Sequence, residues 1–312
     1  MNKEEFNKLY ETLKKSKFKQ QKFLGWRPLP TISCITIIFI SFGVFFIICG
    51  ILILVFIGQV KEYKSRYDLE CKEQKKKDST KNCELTISIT EKMKKPIYIY
   101  YQINDISQNH RFYMENKSDK QLKGEKVSKE DLEKNNECEN SLYNGNFTYL
   151  DNELYPKDDV AFPCGLIAKS FFQDDLTSWK ISGRDINITT EEIAYKSDRD
   201  SLSKVEMEDS HWLDVTDEHF MIWKRISPFE NPRKLWGKIE EDIPNGGSVS
   251  VTIKEKNYYY NYEKYIILST RNVFGGKNSF LGILYITFGA VCLISAVIFI
   301  NVYNYFHRKE KN

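Results

Sequence analysis

Two stretches of this chain carry no charged side chain at all: Pro28 to Val60 and Asn278 to Phe306. Each exceeds the roughly 20 apolar residues that cross about 30 Å of hydrocarbon as a helix. A chain so built crosses a membrane twice. The remainder is hydrophilic enough that charged residues still make up 29% of the 312 and the mean hydropathy is −0.48. This pattern excludes a cytosolic enzyme, a nucleic-acid binder and a polytopic transporter. It predicts one large polar domain held between two membrane anchors.

The first apolar run, Thr31 to Gly58, is too long for a signal-peptide core, and no small-residue cleavage site follows it. It reads as a permanent anchor. Eight Lys/Arg against three Glu precede it, and three Lys/Arg against one Glu follow the second run. Taken from the 46 basic and 43 acidic residues of the whole chain, these leave 35 basic against 39 acidic between the runs. A basic excess beside both spans places both termini in the cytosol, and a long middle is translocated whatever its charge. The expected organisation is a basic tail over 1–30, a span over 31–58, an exoplasmic domain over 59–277, a span over 278–306 and a basic tail over 307–312. Phe6, Leu9, Tyr10 and Leu13 fall at helical spacing among lysines, so the first tail reads either as an amphipathic helix from Lys3 to Lys22 or as a solvated topology signal.

Cysteine usage fits a translocated middle. Cys34, Cys49 and Cys292 lie in the spans, whereas Cys71, Cys83, Cys138 and Cys164 lie between them. An even number in an oxidising compartment reads as two disulfides; of the three connectivities, we expect the sequential pairs Cys71–Cys83 and Cys138–Cys164. No C-x-x-C or His at ligand spacing supports zinc instead. Three N-x-[ST] sequons, at Asn116, Asn146 and Asn187, are all in the middle.

Within the middle, Ile97, Ile99, Tyr101 and Ile103 alternate with Tyr98, Tyr100 and Gln102 as a strand does. The segment from His219 to Ile226 alternates similarly, and Val249, Val251 and Ile253 precede the tyrosines 258–260 and the apolar Tyr265 to Leu268. Pro244-Asn245-Gly246-Gly247 reads as a turn. Lys117 to Glu139 reads as an exposed helix-and-loop excursion. The fold class expected is therefore a membrane protein whose two transmembrane helices flank a mainly antiparallel β ectodomain with short helical insertions.

Catalytic patterns are missing: no G-x-S-x-G, H-E-x-x-H, P-loop or dinucleotide fingerprint occurs. Without D-K-T-G the chain cannot form the aspartyl phosphate of a P-type ATPase. Asp174-Asp175 reads as a pair of solvated loop carboxylates. The spans hold no ionisable residue to make an ion path. They do hold small residues seven apart, Gly43 and Gly50, then Gly282, Gly289 and Ala296, a face on which helices pack closely, either with each other or with a partner.

Several strings occur in one order. Phe18-Lys19-Gln20-Gln21 and Trp26-Arg27-Pro28 precede the first span. Tyr100-Tyr101-Gln102, Gln108-Asn109-His110-Arg111 and Pro163-Cys164-Gly165-Leu166-Ile167-Ala168 follow it. His219-Phe220 with Trp223, Arg233-Lys234-Leu235-Trp236-Gly237-Lys238-Ile239, and Gly275-Gly276-Lys277-Asn278 with Phe280-Leu281-Gly282 complete the series. The series resembles the family of cell division control protein 50, the ligand-effect modulator family, from about residue 18 to the second span.

That resemblance implies an accessory β-subunit and chaperone of a type IV P-type ATPase, a phospholipid flippase. The partner would be the ATPase catalytic subunit, in some protists fused to a guanylyl cyclase, together with membrane lipids but no nucleic acid. A glycosylated, disulfide-bonded ectodomain would cover the ATPase's exoplasmic loops, and the spans would lie beside its last helices. Residence in the endoplasmic reticulum, Golgi or plasma membrane follows, with no cofactor and no catalysis by this chain. The candidate interface is Arg233, Lys234 and Trp236 in the ectodomain, with Trp26 and Arg27 before the first span. This sequence departs from the family in lacking a second Cys pair nested within Cys71–Cys83, and in reading Phe112-Tyr113-Met114 where a basic run is usual. A two-span ligand-gated channel subunit and an anchored ecto-hydrolase are the competing readings.

Overall fold

The computed structural model describes residues 3–21, 31–77, 82–147, 155–202, 212–255 and 262–311. Helix α1 (Lys3–Lys15) precedes the long helix α2 (Ile32–Gly58). Strand β1 (Glu62–Arg66), helix α3 (Asp68–Lys77), β2 (Cys83–Ser88) and β3 (Ile97–Ile103) follow. The short helices α4 (Arg111–Glu115), α5 (Lys129–Lys134) and α6 (Leu166–Lys169) then lead to β4 (Asp175–Ile181), β5 (Arg184–Asp185) and β6 (Ile188–Thr189). Helices α7 (Lys196–Leu202) and α8 (Glu218–Lys224) precede β7 (Arg233–Ile239), β8 (Ser248–Lys254), β9 (Lys264–Ser269) and the long helix α9 (Phe280–Lys311). The chain divides into two compact units, residues 1–52 with 280–312, and residues 53–279.

The first unit is built on α2 and α9, both long and apolar enough to cross a membrane. Their glycines face each other. A Cβ on Gly43 would lie 2.7 Å from the Leu293 side chain, one on Gly289 would lie 2.8 Å from the Gly43 carbonyl, and one on Gly50 would lie 2.8 Å from that of Gly282. In lipid no hydrophobic force drives helices together, so close backbone approach of this kind supplies the packing. The small faces expected from the seven-residue spacing thus meet each other. Phe46 fills the space beside them, 5.0 Å from the Phe288 ring and 5.5 Å from Tyr285. The tail helix α1 is shorter than expected, ending at Lys15, and leaves Phe6, Leu9 and Tyr10 exposed.

The second unit is a two-sheet antiparallel sandwich. Its five-stranded sheet has the order β1-β9-β3-β7-β6 and its four-stranded sheet the order β2-β8-β4-β5. Alternation dictates which side chains enter the core. Ile97 and Ile99 of β3, with Ile266 and Leu268 of β9, face Leu85, Val249, Val251 and Ile253 from β2 and β8, all buried. At one end Tyr101 and Ile103 leave this core for a second one, formed with Phe172, Phe220 and Trp223. Pro244 to Gly247 forms the expected turn, closed by the Gly247 N–H on the Pro244 carbonyl at 3.1 Å. The tyrosines 258–260 lie outside the described residues.

Three expectations are corrected. The segment around Phe220 is helix α8, not a strand. Asp217 caps it by accepting the His219 N–H at 2.9 Å, and Phe220, Met221 and Trp223 are buried on one side of the turn. A side-chain cap supplies a partner for an otherwise unpaired helix donor, which alternation in the sequence does not register. Lys117 to Glu139 is helix and loop but not simply exposed, because Gln121, Leu122 and Leu132 are buried. Asp174 is not a solvated carboxylate; it is 3% exposed.

Cys71 is bonded to Cys83, joining α3 to β2, and Cys138 to Cys164, closing a loop of 26 residues. Around the second bond Leu132, Phe147 and Ala161 form a small core of their own. Gly165 follows it at φ +94°, where a Cβ would lie 2.5 Å from the Asn116 carbonyl, so only glycine fits this position. Cys138→Ser should therefore cost about 3 kcal/mol by releasing the loop. Cys34→Ser, at an exposed position of α2, should change stability by less than about 0.5 kcal/mol. Thermal unfolding of the two variants in detergent, with non-reducing peptide mapping, checks both.

Candidate functional site

The residues singled out at Arg233 to Trp236 separate by strand alternation. Lys234 points inward and is 6% exposed, so it does not reach a partner; this corrects its place in the expected interface. Its Nζ donates to the Trp223 carbonyl at 3.4 Å and to the Arg225 carbonyl. These are carbonyls at the C-terminal end of α8, which lack intrahelical donors, so the ammonium caps the helix and complements its dipole. Burial pushes the Lys234 amine down to about 8.

Arg233 and Trp236 stay half-buried. The Trp236 ring lies 4.2 Å from that of His219, whose Nε2 is 2.9 Å from the Trp236 carbonyl oxygen. It meets Tyr101 and Phe172 edge-on at 6.2 and 5.9 Å, bridging the two cores. It also lines an open cavity of about 650 Å³ with Trp179, Thr177, Asn187 and Thr190. Trp26 and Arg27 lie outside the described residues.

Arg233 belongs to a surface that the sequence did not single out. On the outer face of the five-stranded sheet, its guanidinium sits 4.3 Å over the Tyr100 ring. From the other side Arg271 lies 3.9 Å over Tyr98 and donates from Nε to the Tyr100 hydroxyl at 2.6 Å. Lys64 lies 4.0 Å over Tyr265. Burial, followed by the nearby Arg233 charge, pushes the Lys64 amine below the ordinary lysine value. Glu62 holds Arg233 at 2.9 Å. Arginine stacked on tyrosine is the composition that dominates protein–protein contacts, because it offers rigid apolar area with a polar edge. The alternation of Tyr98 and Tyr100 along β3 was the only sequence signal for it.

A second cluster is internal. The Lys264 ammonium is fully buried, 2.6 Å from Asp174 Oδ2 and 2.7 Å from Glu255 Oε1. Lys75 reaches Glu255 Oε2 at 2.9 Å, and the Tyr67 hydroxyl donates to Asp174 Oδ2 at 2.8 Å. Burial alone would raise the Glu255 carboxyl, but the hydrogen bonds and charges of Lys264 and Lys75 outweigh it and hold its pKa below the ordinary range. Burial, reinforced by Asp174, pushes the Tyr67 phenol well up. Lys264, Asp174 and Tyr67 are buried and Lys75 closes the cluster from its half-exposed side, an arrangement that joins the sheets. Among the described residues no group of three or more His, Cys, Asp or Glu side chains is placed to hold a metal ion.

The sequons differ in exposure. Asn187 is exposed and Asn146 is half-exposed. Asn116 is 3% exposed: its Nδ2 donates to the Glu139 carbonyl and its Oδ1 accepts the Leu166 N–H at 3.2 Å. The atom a glycan would occupy is thus buried in a hydrogen bond, and Asn116 is withdrawn as an acceptor.

These features define a class, an integral membrane protein with two spans around a disulfide-bonded antiparallel sandwich that presents a cationic-aromatic sheet face. The chain matches the LEM3 (ligand-effect modulator 3) family / CDC50 family over residues 53–309, and it belongs to that family. It is 32% identical to ALA-interacting subunit 3 of Arabidopsis thaliana, over 93% of this chain and 86% of the relative. Cell cycle control protein 50A of Mus musculus is 28% identical over 95% of this chain and 90% of its own length. Phospholipid-transporting ATPase accessory subunit CRF1 of Saccharomyces cerevisiae is 27% identical over 70% and 58%.

Two measurements test the internal assignments. Lys264→Met leaves two buried carboxylates facing an apolar group and should cost about 3–5 kcal/mol in unfolding free energy. For Lys234, the unfolded chain takes up its proton near the ordinary 10.5 and the folded chain only near 8. Between those pH values the unfolded state therefore binds the extra proton, so this residue makes stability rise with pH across that window. Lys234→Met should remove that part of the slope in a pH series of unfolding midpoints.

Proposed function

We propose that this chain is the non-catalytic accessory subunit of a type IV P-type ATPase phospholipid flippase. It would hold the catalytic subunit folded, accompany it out of the endoplasmic reticulum, and favour states of its transport cycle by binding them differentially. The observation that carries the proposal is the family match over residues 53–309, together with one relative named a phospholipid-transporting ATPase accessory subunit and another named an ALA-interacting subunit. The topology proposed with it has tails 1–30 and 307–312 in the cytosol, spans 31–58 and 278–306, and an exoplasmic domain 59–277. Its membranes are those of the secretory pathway and the cell surface.

The contact proposed for the ATPase's exoplasmic loops is the outer face of the five-stranded sheet, with Arg233, Arg271, Tyr98 and Tyr100 at its centre. Trp26 and Arg27 remain proposed contacts on the cytosolic side. Within the ectodomain, Asn187 and Asn146 are the proposed glycan acceptors.

Expressed alone, the chain should hydrolyse no ATP and move no lipid. Co-expressed with its cognate ATPase it should co-purify as a complex whose ATP hydrolysis rises when lipid is supplied. ATPase activity in the chain alone, or failure to bind any type IV ATPase in native membranes, would overturn the reading. Arg233→Ala with Arg271→Ala should leave the ectodomain protease-resistant yet weaken co-purification by about tenfold or more, the scale of an interface hot spot. Glycopeptide mapping from a secretory host should find carbohydrate on Asn187 and Asn146 and none on Asn116. Unmodified asparagine at all three positions would remove the exoplasmic placement.

A further inference from the structure

Between β9 and α9 the chain makes a tight turn with an apolar tip. The Asn272 N–H donates to the Gly275 carbonyl at 3.0 Å and the Gly275 N–H returns to the Asn272 carbonyl at 2.9 Å. Asn272 Oδ1 accepts the Phe274 N–H at 2.9 Å, and Gly275 takes φ +96° to close the loop. The two residues at the tip are Val273, 97% exposed, and Phe274, 48% exposed. Turn tips usually carry Gly, Asn, Asp, Ser or Pro, whose conformations and side chains suit water. A hydrogen-bonded turn that presents valine and phenylalanine is built for another medium.

The contacts of this turn say which medium. Asn272 Nδ2 donates to the Phe56 carbonyl at 2.6 Å, and the Phe274 and Phe56 rings lie 5.9 Å apart. Next to it, the Thr270 N–H donates to the Lys61 carbonyl and the Lys61 N–H to Thr270 Oγ1, each at 2.9 Å. Phe56 is two residues from the end of α2 at Gly58. At 1.5 Å of rise per residue it lies about 3 Å inside the helix terminus. The polar layer on each side of a bilayer is about 5–8 Å thick. The tip is therefore tied at the level where apolar chains give way to headgroups.

We propose that the Val273–Phe274 turn is a lipid-contacting wedge, seated in the interfacial layer of the leaflet at which α2 ends. Its occupant is the lipid surface itself: the side chains are uncharged, they are held beside the end of a membrane-spanning helix, and the Asn272, Phe274 and Gly275 N–H groups are all bonded within the turn. Lys277, two residues beyond the turn, is exposed. The inference rests on α2 crossing the bilayer, and not on the identity of the ATPase or the direction of insertion.

The test uses the full chain in nanodiscs of phosphatidylcholine and phosphatidylserine. Cys34, Cys49 and Cys292 are replaced by alanine and one nitroxide is attached at Val273→Cys, or at Phe274→Cys as an independent second site. Phe45→Cys, on the exposed side of α2, serves as the hydrocarbon reference, and Phe229→Cys, 78% exposed before β7, as the aqueous reference. Power saturation compares relaxation by oxygen with relaxation by a water-soluble nickel chelate. The expected result is a several-fold higher oxygen-to-nickel ratio at 273 and 274 than at 229, approaching that at 45. A ratio equal to that at 229 shows a tip in water and overturns the proposal. Labels shielded from both reagents show a protein contact and also overturn it. A hydrophilic ratio at 45 would instead show that α2 does not span, and the proposal would fall with that premise.

Discussion

The sandwich depends on one buried ammonium. Lys264 opens β9 in the five-stranded sheet, while Glu255 follows β8 and Asp174 precedes β4 in the four-stranded sheet. A lone charge in such a place would be far too costly. Two carboxylates, the Tyr67 hydroxyl and the outer Lys75 make the arrangement tolerable by satisfying each charge with short, directed bonds. A buried ion cluster of this kind contributes little more net stability than well-packed apolar residues would, yet it tolerates only one register. Sliding β9 by one residue would carry Lys264 to the outer face and take the central cation from both carboxylates, leaving Glu255 with Lys75 and Asp174 with the Tyr67 hydroxyl. The Cys71–Cys83 bond acts beside it, fixing α3, which carries Lys75, to β2.

The helical end of the domain follows a related rule, in which polar side chains finish what short helices leave open. Seven residues of α8 cannot support a helix by hydrogen bonding alone. Asp217 accepts the His219 N–H at its start, Lys234 meets its last carbonyls, and Trp223 donates from Nε1 to the Ile167 carbonyl at 2.9 Å. Asn116 similarly ties the Glu139 carbonyl to the start of α6, with Gly165 pressed against its backbone. The strings Arg233-Lys234 and Pro163-Cys164-Gly165 therefore serve the interior of the domain as much as any partner. The surface proposed for recognition is the outer sheet face, where Arg233 and Arg271 bracket Tyr100.

The membrane unit has a simpler logic. Apolar helices in lipid gain nothing by hiding apolar surface, so they associate where small residues admit the neighbouring backbone. Gly43 against Gly289 and Gly50 against Gly282 form two such contacts along one antiparallel pair. The outward sides, with Phe45, Val55, Val291 and Ile298 exposed, remain for lipid or for the helices of a larger complex.

By itself the sequence determined the two spans, the polar domain between them, the strands β3 and β8 and the family. Each is written in a local pattern: an absence of charge over some thirty residues, a period of two, a run of ordered strings. The tertiary structure alone decided the rest. Only folding brought Asp174 to Lys264 across 90 positions, hid Asn116 beneath the Glu139 carbonyl, and turned the alternating residues around Phe220 into a helix. It also divided Arg233 from Lys234, one facing solvent and its neighbour the core. Burial of a polar group depends on partners distant in the chain, and no local periodicity records where those partners will be.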